Sequence, residues 1–512
     1  MKFNFYYDET EHSREIGYDT IIASNFYDGF ITSIVGWNEE KQSEIEQKYL
    51  AFEEKYSYRK SKGELKSTTI DNKKLENGFA SCNKEYVSFI MDFLRLFNDD
   101  IRLYFASISK MEYLTNQLFT DYHNTVFVDT DSFKYTIVKA LVTNRPVEVE
   151  KAIYNNPEQF VSTVKAFLKK KIEIDKQNAE LKKREIKAFS DVLLVLDDVK
   201  LPKQFSWDYR PSFIGFKKYI DENSIVDYTL TIDKEGNEQK TLHAAQECGI
   251  KNASEASSSN VWGIRMADML AGLIAKMMKA LCQSLLPTNP DSISKTLLPK
   301  QWFNINEKQL QLYKQFYHVV CELNNSWYKS FSSIYADDAI SLVALLGFMN
   351  HFSSVDEIRK DLDMQGEHFN TYVCRALEDY YSRIQNKLPI DPISREELAK
   401  GFFYNQRGAK CYFDTEKQPI LPFPQKENLY HVLSVGFDSN AVPLVTINQD
   451  GKPYCYRLPQ ELSEWVCNAV AWANIGGNCF PADVIFTKGK YQRPFRQRFA
   501  DLRRKISQII VG

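Results

Sequence analysis

Long hydrophobic runs are missing from this 512-residue chain: no apolar stretch reaches the roughly 18 residues of a membrane-spanning helix, so a helical membrane protein is not expected. The opening "MKFNFYYDE" lacks the basic-then-apolar pattern of a secretory leader. Nine cysteines form no C-x-x-C pair and no Cys/His cluster at zinc spacing, which argues against a disulfide framework and a structural zinc site and fits reduced thiols in the cytoplasm. There is no internal repeat, no Gly-rich phosphate loop and no histidine in a nucleophile–base pattern. Nucleotide-hydrolase and Ser/His/Asp chemistries are therefore without support. Net charge is also scarce, at −2, so any contact with nucleic acid must come from local patches.

What is present describes a globular protein, with 44% hydrophobic and 26% charged residues in a chain long enough for more than one domain. Alternating aromatics predict a first strand at about 2–8, and "YDTIIASNFYDG" predicts a second around 18–26. Helical spacing follows over 38–56, then a helix in "ENGFASCNKEYVSFIMDFLRLFNDD" and a strand at Ile101–Lys110. Residues 112–190 read as largely helical, and their lysine-rich end fits a solvated face better than a nucleic-acid surface. The apolar run Val192–Leu196 predicts a strand buried on both faces. A helix near 211–221, strands near 225–232 and 239–245, and a helix from about Val261 complete a domain over 1–285. A Pro-rich linker leads to a helical domain over 286–390, and a small α+β domain occupies 400–512, with "QDGK" as a hairpin turn.

Three acids share a physical setting. Asp8 and Asp197 end hydrophobic strands, and Asp268 lies inside an apolar helix. A carboxylate near a core costs several kcal/mol unless something pairs with it. A hard divalent cation, Mg²⁺ or Mn²⁺, is one such partner; for Asp268, Arg265 three residues earlier is another. Successive strand residues point to opposite faces, so Asp8 and Glu9 cannot both serve, and Asp8 is opposite in phase to Phe5 and Tyr7.

The order "YYDET", "ELK" (Glu64–Lys66), "SISK", "VLLVLDD", a serine-rich loop and "GIRMADMLAG" resembles the bacterial family called domain of unknown function 3800, over about residues 1–280. Ala267–Gly272 is its most specific part; Thr10 and Arg265 depart from the family pattern, which usually has Ser and often Gln there. The resemblance implies a ribonuclease-H-like α/β fold, a mixed sheet flanked by helices with acids gathered at one edge. It implies a nuclease in which two metal ions, roughly 4 Å apart, act on a phosphodiester. Carried onto this chain, the ligands are Asp8, Asp197 and Asp268, completed by Glu64. Lys66, Lys110 and Arg265 become candidates for phosphate contact, although each lysine also fits an ordinary surface position. Ser257, Ser258 and Ser259 are expected to cap the helix that follows. The same resemblance is compatible with a component of a bacterial defence or mobile-element system needing a protein partner or trigger, and with a binding module that has lost cleavage.

The tail Lys488–Lys505 holds eight basic residues and one acid, with Tyr491, Phe495 and Phe499 between them. Arg493, Arg496, Arg498, Arg503 and Arg504 are candidate phosphate contacts, DNA or RNA unspecified. An amphipathic terminal helix that buries the phenylalanines and solvates the arginines reads the same pattern equally well.

Overall fold

Alternation in β1 (Lys2–Thr10) places Tyr6 on one face and Phe5 and Tyr7 on the other, and both faces are covered. The strand is thus an interior one. This computed structural model describes all residues except 11–20, 22, 24–25, 121–129, 197–198, 200–207, 235–238, 288, 290, 292–294, 325–329, 386–417, 423–428, 438–441, 464, 467–468, 470–479, 488–495 and 500–512. The chain is mixed α/β and divides into two units, one of Met1–Tyr122 with Asp131–Tyr380 and one of His123–Thr130 with Tyr381–Gly512.

In the first unit β2 (Gly29–Asn38) and β4 (Arg102–Ser109) extend the sheet antiparallel on one side of β1. On the other side β5 (Asp227–Asp233) and β6 (Ala253–Ala256) run parallel to it. The short β7 (Ser330–Ser332) pairs parallel with β4, giving the order β6-β5-β1-β2-β4-β7, while β3 (Glu76–Phe79) stands outside that sheet.

Helices α1 (Gln42–Lys55) and α2 (Lys84–Leu94) and the helices α3 (Lys110–Leu118), α4 (Thr130–Asn144), α5 (Val147–Asn155), α6 (Phe160–Asp175) and α7 (Ala179–Val195) precede β5. Then come α8 (Pro211–Glu222), α9 (Lys240–Glu247), α10 (Trp262–Leu285), α11 (Glu307–Tyr317), α12 (Asp337–Asn350), α13 (Val355–Arg359) and α14 (Gln365–Gln385). One sheet face packs Phe5, Tyr7 and Ile232 against Phe213 and Phe216 of α8 and Ala245 of α9. The other packs Tyr6, Val35 and Trp37 against α10, which is apolar around almost its whole circumference and correspondingly buried. Trp37 and Trp262 stack at 4.7 Å and 7°, fixing the start of that helix over the strands.

Several expectations are corrected. Val192–Leu196 is not a strand: Val192–Val195 closes α7, with Phe189, Val192 and Leu196 buried at spacings of three and four, while Leu194 is 76% exposed. A strand sandwiched on both faces could not leave Leu194 in water. Residues 240–247 form α9, where Thr241, Ala244 and Ala245 turn inward at helical spacing. The second strand is Gly29–Asn38; the segment 18–26 lies largely outside the described residues. The helices beyond residue 286 are no separate domain. Leu310, Tyr313, Leu345 and Phe369 share one core with Phe79 and Ile274, and the Tyr313 hydroxyl oxygen accepts from the Phe79 N–H at 3.1 Å.

The second unit contains an antiparallel sheet of β8 (Leu429–Phe437), β9 (Pro443–Gln449), β10 (Lys452–Arg457), β11 (Ala482–Thr487) and β12 (Arg496–Phe499) in the order β10-β9-β8-β11-β12. The turn between β9 and β10 is made by Asp450 and Gly451 at φ 52° and 79°, the left-handed pair that a two-residue hairpin demands. Residues 496–499 pair with β11, so the helical reading of the tail fails there. Arg493, Arg503 and Arg504 lie outside the described residues, and Arg496 and Arg498 are placed only as members of β12.

Candidate functional site

Asp8 shares its strand face with Tyr6, toward α10, and is 8% exposed. Glu9 points the opposite way, where its Oε2 accepts from the Tyr7 hydroxyl at 2.6 Å. The two adjacent acids thus lie on opposite faces of the sheet, as the strand phase predicts. The parallel register Tyr7↔Ile232 brings Asp233, the last residue of β5, beside Asp8. Adjacent strands lie roughly 4.8 Å apart, so the two acids are neighbours across the sheet. Asp268 approaches from the second turn of α10.

The electrostatics register this convergence. Loss of water pushes the Asp8 carboxyl well above the usual carboxylate range, and Asp268 and Asp233 push it further; the Glu9 N–H, donating at 2.7 Å to Oδ1, opposes them. Burial also raises Asp233, against the relief of the Ser258 N–H at 3.1 Å and of Lys66. Asp268 is held by Ser67, whose N–H donates to Oδ2 at 2.7 Å and whose hydroxyl donates to Oδ1 at 2.6 Å. Glu64 Oε2 accepts from the Ser258 hydroxyl at 3.1 Å and lies 3.0 Å from Lys66 Nζ. Burial works against the Lys66 ammonium, but Glu64, Asp233 and Asp268 outweigh it and raise its pKa.

Asp268, Gly272 and Lys276 recur every fourth residue of α10 and so face one turn of chain. A Cβ on Gly272 would lie 2.1 Å from the Ser67 Cβ, so only glycine lets the helix approach close enough for the Asp268–Ser67 bonds. Lys276 Nζ then donates to the carbonyls of Ser67 at 2.8 Å and Ile70 at 2.5 Å, closing the turn from below.

Arg265 does not reach Asp268 or an outer surface. It is 8% exposed and forks onto Glu53 of α1, with Nε at 2.7 Å from Oε1 and Nη2 at 3.0 Å from Oε2. Its Nη1 donates to the Ser258 carbonyl at 2.7 Å, anchoring the loop that serves Asp233 and Glu64. Lys110 is likewise interior, 2% exposed, its ammonium donating to the Tyr27 carbonyl at 2.8 Å. Neither is a phosphate contact, because neither charge faces solvent. The serines do not cap α10 by side chain; Ser258 instead ties Asp233 to Glu64.

The structure thus brings Asp8, Glu64, Lys66 and Asp268 into one neighbourhood. Asp197 and Asp198 lie outside the described residues, and the strand that was to carry them is absent. The second strand's acid is Asp233, which sequence reasoning missed although "DYTLTID" carries the same signature of a β-rich strand ending in an acid. Ser67, Ser258 and Glu53 left no such local signal.

Among the described residues, no group of three or more His, Cys, Asp or Glu side chains is arranged to hold a metal ion. The carboxylates share a field rather than a finished coordination shell. Their chemistry, oxygen donors with no thiolate or imidazole, fits a hard divalent cation. Comparison with protein-family models, curated proteins and solved structures gives no match. Among the described residues no helix is long and apolar enough to cross a membrane.

Proposed function

We propose that the chain is a divalent-cation-dependent phosphodiester hydrolase acting on nucleic acid, built on a ribonuclease-H-like first unit. The observation that carries the reading is the mutual field of Asp8, Asp233 and Asp268, which arrive from two adjacent strand ends and a helix laid across them. The resemblance over residues 1–280 supports it, as does the mixed sheet with its acids at one edge.

Asp8, Asp233, Asp268 and Glu64 are the residues that would hold Mg²⁺ or Mn²⁺. The cation, when bound, supplies Lewis-acid stabilisation of a phosphoryl oxygen and lowers the pKa of water. The protein's own groups do the rest. Ser67 and Ser258 fix the carboxylates of Asp268 and Asp233, and Arg265 fixes the Ser258 loop through Glu53. Asp8, with its pKa raised, would have to release its proton to hold a cation, so cation affinity would fall as pH falls. Lys66 balances charge beside the acids and is within reach of a phosphate oxygen when released from Glu64.

The test is cleavage of single- and double-stranded DNA and RNA with Mn²⁺, alongside Mn²⁺ calorimetry. Asp8→Asn and Asp268→Asn should each abolish cleavage and the Mn²⁺ heat while the circular dichroism stays native. Full activity in both variants discards the mechanism. A second reading, a binding module of the same fold without cleavage, is favoured by the Lys66 ammonium already standing 3.0 Å from Glu64 among the acids. Mn²⁺ binding that does not depend on Asp8 would select it.

A further inference from the structure

A cavity of about 210 Å³ opens elsewhere in the first unit, among the loop before β2, helices α3 and α4, the end of α10 and the start of α12. Cys282 lies fourteen residues beyond Asp268 on α10, a separation of about 21 Å along the helix, so this is a second place. Its walls are largely apolar, with Phe26, Tyr27, Met111, Leu141 and Tyr335 among them. Into these walls are set four acids, Asp28, Glu150, Asp337 and Asp338, and one arginine, Arg145.

Arg145 and Lys110 offset part of the Asp28 charge, but each also has a closer partner, while Glu150 and Asp337 are each met by a cation of their own. Arg145 Nε lies 3.2 Å from Glu150 Oε1, and its Nη2 donates to the Ile21 carbonyl at 2.6 Å. Lys139 Nζ lies 3.0 Å from Asp337, which also accepts from the Tyr135 hydroxyl at 3.1 Å. Lys110 donates behind the cavity to the Tyr27 carbonyl at 2.8 Å, and Lys279 stands 6.0 Å from the Tyr27 ring centre. Asp28 is locked in place, its Oδ1 accepting the Met111 N–H at 2.8 Å. The strongest influences on Asp338 are burial, then Asp28, the Cys282 thiol, Asp337 and the Tyr27 hydroxyl, and none of these is positive. The Tyr27 hydroxyl is itself buried; it faces Asp338 and Cys282 but makes a well-formed hydrogen bond to neither. A polar atom buried without a partner in a cavity wall marks a place for a ligand atom.

We propose that this cavity binds a small organic cation, a primary ammonium on an aromatic or short aliphatic body. Its N–H groups reach Asp338, Asp28 and the Tyr27 hydroxyl, and its body lies among Phe26, Met111, Leu141 and Tyr335. Aromatic faces favour a cation electrostatically, which an inorganic ion with its water shell would exploit less well. Size points the same way: a cavity of roughly 150 Å³ holds a benzene molecule, so this one suits a ring with a short arm. The ammonium needs Asp338 ionised, and that carboxyl is pushed up to about 7, chiefly by burial and Asp28. Binding below neutrality therefore releases a proton, and affinity falls as pH drops, by up to about tenfold per unit.

The experiment is calorimetry of the full chain at pH 7.5 with benzylamine and, as its neutral counterpart, benzyl alcohol. Benzylamine should bind at least tenfold more tightly than the alcohol, weaken between pH 7 and pH 6, and lose at least tenfold in Asp338→Asn. Equal binding of amine and alcohol, no benzylamine heat at millimolar concentration, or unchanged affinity in the variant overturns the proposal. Should Asp338→Asn fail to melt cooperatively, Tyr27→Phe keeps the ring and removes only the hydroxyl. A severalfold weakening supports the site, and an unchanged affinity overturns it.

Discussion

Two pairs of acids in the same unit, each a buried one beside a half-buried one, have been treated in opposite ways by their surroundings. Asp8 and Asp233 stand among serines, a glutamate and a lysine, so each finds polar neighbours and Asp233 is tied to the Ser258 amide. Asp28 and Asp338 stand among aromatic rings, a thiol and aliphatic side chains. The first setting offers many oxygens to a compact, strongly hydrated ion. The second sets its carboxylates in a wall with much apolar surface, which suits an ion with a carbon body. Equal formal charge thus leads to different chemistry because the neighbours differ. Glu53 is a third case: buried too, but met by its own arginine, and so available to neither kind of ligand.

The sharpest way to break this contrast is through that internal pair. Arg265→Met leaves Glu53 buried without its fork and should cost about 3–5 kcal/mol in urea unfolding, most of it restored when Glu53→Met is added. A cost near zero would mean that buried charge is cheap here, and both acid sites would lose their rationale. Next in size, Asp233→Asn should lower Mn²⁺-dependent cleavage on the order of a hundredfold, with the melting curve unchanged. Wild-type cleavage by that variant would move the functional acids elsewhere. Gly272→Ala forces the Ser67 turn away from α10 and should cost about 1–3 kcal/mol, with weaker Mn²⁺ binding measured in parallel.

The smallest effect has a definite sign. The folded Asp338 carboxyl titrates at about 7 against an ordinary value of 3.8, so the folded state holds its proton more tightly than the unfolded chain. Its contribution is whole below about pH 4 and is lost as pH rises through 7. Asp338→Asn should accordingly be more stable than the parent at pH 8 by about 1–2 kcal/mol, after allowing for partial solvent access. Thermal melts should show the gap closing toward pH 4; a gap that is constant with pH would assign it to packing.

How much could be read beforehand depends on how local the cause is. Asp8 was legible because strand phase is a local property, and Asp268 because an acid inside an apolar helix is conspicuous. Asp233 is legible in kind, but the strand pattern in the sequence reads only to about 232, one residue short of it. Val192–Leu196 misled because a short apolar run fits a buried strand and the last turn of a helix alike, and only the preceding Phe189 settles the period. Arg265 and Lys110 misled for another reason. Charge in a sequence says nothing of burial, and the partner of Arg265 lies 212 positions away. The serine roles were invisible for the same reason: Ser67 and Asp268 are separated by 201 positions.

The pairing of β4 with β7, Phe105 with Ser330 and Ser107 with Ser332, has a consequence for how the chain is made. The sheet edge cannot be completed until residues beyond 330 have left the ribosome, and the core beneath α10 waits for Phe369. At synthesis rates of about 5–20 residues per second, the interval after α10 emerges lasts several seconds. During it a highly apolar helix has the sheet on one side but lacks the cover that Tyr313, Leu345 and Phe369 bring, so nascent chains should rely on chaperones at that stage, and fragments ending near residue 285 should aggregate rather than fold.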